Sequence, residues 1–433
     1  MSSNVESLSF GRVSQLVCTT ALAVTIATAA SAQTVVSLMH PQSTPLVLEV
    51  WDQLVAEYEA QHSGVDVQLQ FLENEAFKAK MPTLLQSENA PHIFYSWGGG
   101  VLKAQSETGA LMDLTEAMNA DGGAWKNSYV PASFESLTFD GRIWAVPYQL
   151  GTISFFYNKE LLQKAGVDGE NIKTWPDFLA AVKKLKEAGI VPLAGGGGEK
   201  WPIHFYWSLL VMRSGGKEVF TQAKNGEGEG FMHPAVVKAG DHLAELGTLE
   251  PFQAGWQAAT WPETQGAFGD GKAAMILGFQ NTEIGQANAA ADGKGLAAEN
   301  IGRFPFPEVE GGLGKITDTL GPLNGWAVTR NAPPEALDFL AFFTSADSQR
   351  KLAEAKAIIP VAKGAEDGVT DPLLKMSADE LAVSTWHQNF FDQDLGPSIG
   401  RVVNDASVEI AAGNMSGEEG AQMIQDAFEL EQF

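Results

Sequence analysis

Val35-Val36-Ser37-Leu38-Met39, then Thr44-Pro45, then Leu46, Val47, Val50, Trp51, Leu54, Val55 and Tyr58: the fold turns on how this stretch is read. The opening five residues are a short apolar run of the kind that forms a buried strand. Thr44 suits a helix N-cap, and Pro45 suits the first helical position, where a missing N–H leaves no bond unmade. The apolar residues that follow recur at helical spacing and predict one buried face. Gly64 breaks the chain, and Val65, Val67, Leu69 and Phe71 alternate as in a strand. A second helix is expected from about Glu75 to Gln86, kinked near Pro82. Ile93-Phe94-Tyr95 reads as a third strand, running into Trp97-Gly98-Gly99-Gly100. Strand, helix, strand, helix, strand is the order of a parallel α/β sheet.

Beyond this stretch the alternation continues. Trp144 to Pro147 and Thr152 to Tyr157 read as strands, and Thr174-Trp175-Pro176-Asp177 caps a helix that Gly189 ends. The middle is mostly helical, including Pro234 to Leu246. Ala273 to Leu277 and Trp326 to Thr329 are expected strands, Glu335 to Phe343 a helix, and the C-terminus a helix with Met423, Ile424, Ala427 and Phe428 on one face. No internal repeat and no low-complexity linker separates the parts, so the domains are expected to be tightly joined.

The chain has 433 residues, room for two or three domains. Its 28 basic and 53 acidic residues give a net charge of -25, which repels phosphate backbones and anionic membrane surfaces and so argues against nucleic acid as a partner. Residues 1–32 have the layout of a secretory signal peptide: Arg12, a low-charge run from Leu16 to Ala27, and Ala30-Ser31-Ala32 before Gln33. The single cysteine, Cys18, falls inside that segment and precedes most of its apolar run, which argues against a lipid anchor. A mature chain without cysteine must rely on its core. No later run approaches the roughly 18 apolar residues of a membrane span, so the mature protein is expected to be soluble, without membrane insertion.

The seven histidines are scattered with no H-E-x-x-H, and no His/Asp/Glu cluster has ligand spacing, so no metal and no cofactor is expected. No serine sits in G-x-S-x-G, and no catalytic residue is assigned. Gly266-Ala267-Phe268-Gly269-Asp270-Gly271-Lys272-Ala273 fits the spacing of a phosphate loop. However, it lacks the Ser/Thr after lysine and precedes a strand instead of opening a helix. Gly195 to Gly198 could cradle an anion, but a mobile surface loop is the expected role.

The 11 tryptophans say more, because several fall at element ends or in loops. Trp97 follows a strand, Trp201 and Trp207 flank His204, Trp261 precedes Pro262, and Trp386 precedes His387. An indole N–H needs a partner when buried, so indoles at such places suit ligands that are apolar on one face and hydroxylated at the edge, as pyranose rings are. Gln42, Glu73, Gln280, Asn281 and Asn324 could serve the hydroxyls, since amides both donate and accept. For each single tryptophan, half-buried packing is the competing reading.

Ala145-Val146-Pro147-Tyr148, with Ser154-Phe155-Phe156-Tyr157-Asn158-Lys159-Glu160-Leu161-Leu162 after it, resembles a recurring signature of the sugar-binding proteins of ABC transporters, the extracellular solute-binding family. Tyr148-Gln149 departs from the small residues usual after that proline. Gly109 to Thr115, Thr174 to Phe178, Phe268 to Met275 and Gly325 to Val328 are similar to further elements of the family, in the same order. The resemblance implies a periplasmic-binding-protein-like fold of two discontinuous α/β lobes joined by a hinge, with the ligand cleft between them. The lobes would be 33–149 plus 306–358 and 150–305 plus 359–433, with crossings near Tyr148–Thr152, Ile301–Phe306 and Ile358–Ala362. The binding positions it implies are His40, Gln42, Trp97, Tyr148, Trp261, Phe279, Gln280, Asn281, Asn324, Trp326 and Trp386, beside the Glu73, Trp201 and Trp207 suggested by the indole pattern.

The resemblance further implies a monomeric receptor in the periplasm of a Gram-negative bacterium. It would capture a di- or oligosaccharide and deliver it to membrane permease subunits. Two other classes stay open on the residues. A secreted glycoside hydrolase could use Glu73/Glu75 or Asp392/Asp394 as its carboxyl pair. A receptor for a non-sugar solute such as a polyamine could use Glu73 and Asp392.

Overall fold

A computed structural model describes residues 33–431. The signal peptide expected over 1–32 lies outside them. In chain order the strands are β1 (Thr34–His40), β2 (Val65–Phe71), β3 (Ile93–Ser96), β4 (Thr138–Phe139), β5 (Arg142–Ile143), β6 (Ala145–Leu150), β7 (Ile153–Asn158), β8 (Leu193–Ala194), β9 (Met275–Phe279), β10 (Ile301–Phe304), β11 (Thr319–Leu320), β12 (Leu323–Val328), β13 (Ile359–Pro360) and β14 (His387–Gln388).

Two sheets dominate. The first has the order β13-β6-β12-β3-β1-β2, the second β10-β7-β9-β8. In the first, β1 pairs parallel with β2 and β3, as the opening alternation predicts. From β3 onward the sheet is antiparallel, through β12, β6 and β13. The parallel sheet expected from sequence is therefore mixed, because the strands that complete it return from distant parts of the chain.

The helix Pro45–Gln61 covers the first sheet with Val47, Val50, Trp51, Leu54 and Tyr58. Leu46 does not join that face and is 42% exposed. Thr44 holds the N-cap backbone position without a side-chain bond. By contrast, Thr174 and Asp177 form a complete capping box on the helix Trp175–Glu187, worth about 1 kcal/mol by analogy with measured caps. That helix buries Trp175, Phe178, Val182 and Leu185 in a second core, shared with the helices Trp201–Lys224 and Pro397–Ala411. Each sheet thus has its own core, which makes two α/β lobes.

The chain passes from β6 to β7, and so from one sheet to the other, through Gly151 and Thr152. The return expected near Ile301–Phe306 lies further on. Strand β10 pairs with β7, Phe306, Val309 and Leu320 pack in the second core, and β11 pairs with β14. Gly321 and Pro322 then lead into β12 of the first sheet.

One loop expectation is also corrected, and the placement of a second loop before a strand is met. Gly195, Gly196 and Gly197 are buried and not a mobile surface loop: a side chain on Gly195 would meet the ring of Phe252, and one on Gly197 the Gln257 backbone. Gly266 to Lys272 closes the helix Trp261–Gly269 and enters β9, the reverse of a phosphate loop's order. Among the described residues no helix is long and apolar enough to cross a membrane, and no group of three His, Cys, Asp or Glu could hold a metal.

Candidate ligand-binding site

A cleft of ≈ 470 Å³ opens between the two sheets. That is within the roughly 300–1,000 Å³ typical of small-molecule sites. The strand ends place its lining, because β1, β3, β6 and β12 of the first sheet and β9 of the second end or pass beside it.

One wall is aromatic and belongs to the first lobe. Tyr95 and Trp97 follow one another out of β3, their rings edge to face at 5.5 Å. Trp97 is held from behind by Phe77 at 5.5 Å, and its carbonyl accepts from Asn389 Nδ2 at 2.8 Å. Tyr148 closes the base of this wall. Its hydroxyl accepts from Trp51 Nε1 at 3.2 Å, and burial drives its ionisation far above the ordinary range. The Tyr95 hydroxyl accepts from Gln149 Nε2 at 3.1 Å and from the Asn324 amide.

The facing wall comes from the second lobe and is also aromatic. Trp201 opens the helix Trp201–Lys224, and Trp261 opens the helix Trp261–Gly269 behind a Thr260/Glu263 capping box. Their rings lie 5.2 Å apart, with Phe279 from the end of β9 at 5.5 Å from Trp261. Phe205 and Phe390 back them at 5.4 Å from each other. Trp97, Trp201, Trp261 and Phe279 are all only partly buried, which leaves ring area for contact.

Polar groups stand between the walls. Gln42 accepts from the Thr44 N–H at 2.9 Å, and Glu73 caps its helix by accepting from the Glu75 and Ala76 N–H groups at 3.0 and 3.2 Å. Gln280 is 3% exposed and Asn324 4%, yet Gln280 Oε1 and Asn324 Oδ1 have no protein partner. An unpartnered buried acceptor costs roughly 1–3 kcal/mol unless a donor reaches it. Glu199 accepts from the Trp261 N–H at 2.8 Å, and its carboxyl is held above the usual range by burial and then by the charges of Glu75 and Glu73. His204 lies 3.6 Å from Asp392 and is kept toward its neutral form, chiefly by burial.

Gln42, Glu73, Trp97, Tyr148, Trp201, Trp261, Phe279, Gln280, Asn281 and Asn324 are thus brought to one cleft. Four other expected residues are not. His40 lies behind the lining, its ring 5.0 Å from Trp51, its Nδ1 accepting from the Gln42 N–H, and its pKa lowered to about 4 by burial. Trp207 is buried in the second core, edge-on to Phe391 at 5.9 Å. Trp326 is fully buried between Trp51, Tyr95 and Tyr148. Trp386 packs against Phe220 at 6.2 Å and faces a separate groove. In each case the ring fills a core that a smaller side chain would leave void.

Sequence reasoning missed Lys78 and Glu199. Lys78 holds its ammonium 5.6 Å from the Trp97 ring and 5.9 Å from that of Trp201. Of the carboxyl pairs proposed for hydrolysis, Glu75 is paired with Lys78 at 3.1 Å. Asp394 bonds Lys224 at 2.7 Å and Gln388 at 2.8 Å.

The family model for bacterial extracellular solute-binding proteins matches residues 44–350. The chain is 25% identical, over 342 residues, to an uncharacterized ABC transporter extracellular-binding protein of Pyrococcus horikoshii, covering 78% of this chain and 74% of that protein. It is 28% identical over 256 residues to a probable sugar-binding periplasmic protein of Mesorhizobium japonicum, covering 58% of each. A solved chitin oligosaccharide binding protein superposes with a TM-score of 0.82 at 22% identity, over 92% of this chain and 98% of the other. With the two-lobed fold, the cleft and the matched length together, this chain belongs to the bacterial extracellular solute-binding protein family.

Proposed function

We propose that this protein is the periplasmic receptor of an ABC importer. It captures a carbohydrate, a di- or oligosaccharide, between its lobes and delivers it to membrane permease subunits. The observation that carries this reading is the pair of facing aromatic walls, Trp97 on one side and Trp201 with Trp261 on the other, with unpartnered amide oxygens of Gln280 and Asn324 between them. A pyranose ring offers an apolar face to the indoles and hydroxyl donors to the amides. The name of the Mesorhizobium relative supports a sugar, and that of the Pyrococcus relative supports the transporter.

We place one lobe at 33–150 with 323–360 and the other at 153–320 with 387–431, following the sheets. A ligand that touches both walls binds the closed arrangement better than the open one and shifts the balance between them. Moving a population from 1:99 to 99:1 takes about 5.5 kcal/mol of differential affinity. Stacking on both walls and filling the amide acceptors work in that direction, and the permease would read the lobe arrangement. The protein acts as a monomer, leaves its ligand unchanged, and reaches the periplasm through the leader.

The test is a titration of the purified chain from Gln33 with mono- and oligosaccharides, following tryptophan fluorescence and melting temperature together. A saturable response to a sugar in both signals supports the reading. Silence to every sugar with a response to a polyamine sinks it.

A further inference from the structure

Lys78, Glu73, Glu75 and Glu199 stand near one another in the cleft. The Lys78 ammonium lies over an indole of each lobe, 5.6 Å from Trp97 and 5.9 Å from Trp201, and 3.1 Å from the Glu75 carboxylate. Lys78 is the single cation among the lining residues, which include the carboxylates of Glu73, Glu199 and Asp392. Two amide oxygens of the lining have no partner, on Gln280 and Asn324, and both belong to side chains more than nine-tenths buried. Indole faces attract cations, carboxylates hold ammonium groups by charge-assisted bonds, and orphan carbonyls call for donors. The indole faces and carboxylates favour a ligand that brings positive charge, and the orphan carbonyls favour one that brings hydrogen-bond donors. An anionic ligand would meet a lining that is net negative.

We propose that the seat between Trp97 and Trp201 receives a protonated amine of the ligand, and that the ligand is an amino sugar: an oligosaccharide of hexosamine units with free amines. This deepens the carbohydrate reading and rests on it. The sugar rings stack on the indoles and their hydroxyls donate to Gln280 and Asn324. The amine takes the place of the Lys78 ammonium, whose partly exposed side chain moves outward with Glu75. Lys78 is therefore a tethered competitor for the seat. Acetylating the amine removes its charge and leaves Lys78 undisplaced.

The experiment is calorimetric titration of the full mature chain and of its Lys78→Met variant. Four probes are used: a glucosamine trisaccharide with free amines, its N-acetylated counterpart, a neutral glucose trisaccharide, and sn-glycerol 3-phosphate. The wild type should bind the amine form at least tenfold more tightly than either neutral sugar and give no signal with the phosphate. Lys78→Met should tighten the amine form a further threefold or more. Equal or tighter binding of a neutral sugar, binding of the phosphate, or weakening of the amine form in Lys78→Met overturns the amine seat. In the first of those cases the carbohydrate reading stands, whereas silence to all three sugars overturns both.

Discussion

A Cβ built on Gly321 would stand 2.1 Å from the carbonyl oxygen of Gly151. These two residues lie on the first two chain passages between the sheets, so the passages touch backbone to backbone, with no side chain between them. Lobe rotation in such a molecule turns on a few residues of this kind.

Gly321→Ala forces the passages apart. It should cost about 1–3 kcal/mol, as overpacking of a tight contact does, and alter the lobe angle. Denaturant unfolding reads the first effect and small-angle scattering the second. An unchanged midpoint and radius of gyration would show that the contact does not constrain the hinge.

Trp261→Ala should leave the fold intact, because the ring is partly exposed and its helix keeps the Thr260/Glu263 capping box. Sugar affinity should fall by about 2 kcal/mol, roughly thirtyfold in Kd, the scale of a buried aromatic anchor. Trp207→Phe should do the opposite, lowering the melting temperature while Kd holds within about twofold.

Gln280→Met removes an acceptor that has no partner in the protein. The variant should melt higher than the wild type and bind sugar more weakly, by about tenfold. Both shifts come from one thermal and one calorimetric series.

Arg303 and Glu380 form a nearly buried ion pair, and Arg303 also donates to Thr152 Oγ1 at 3.1 Å and Ser154 Oγ at 2.7 Å. Glu380→Ala leaves the guanidinium buried and uncompensated beside the first passage. The expected loss of stability is about 3–5 kcal/mol, measured by urea unfolding.

His40 links stability to pH. Burial lowers its pKa from 6.5 to about 4, so between those values the unfolded chain binds a proton that the native chain does not. Stability is complete above about pH 6.5 and falls as the pH drops toward 4. At about 1.4 kcal/mol per unit the loss from this residue reaches roughly 3 kcal/mol. A His40→Gln variant should show a shallower decline of unfolding free energy over that window.

The fold was legible in sequence where contacts are local, in both lobes. Val65 to Phe71 alternates and Thr174-Trp175-Pro176-Asp177 carries its cap in its own residues. The passage at Gly321 was not, because it depends on β11 pairing with β14, two short strands far apart in the chain. In the cleft, Trp261 was readable beside Pro262 and Trp201 beside His204, and each opens a helix with its ring left partly free. Trp207 and Trp326 misled because a fully buried indole whose N–H has no partner looks the same in sequence as one that meets a ligand. Lys78 gave no signal: a lysine on an amphipathic helix is ordinary until two indoles from different lobes are placed beside it.

Carbohydrate binding by this chain rests on its facing indoles. Calorimetry of the mature chain with a panel of oligosaccharides tests it most directly. One saturable site is expected for at least one oligosaccharide, weakened in both Trp201→Ala and Trp261→Ala. A panel without heat, or a bound sugar indifferent to both substitutions, would contradict it.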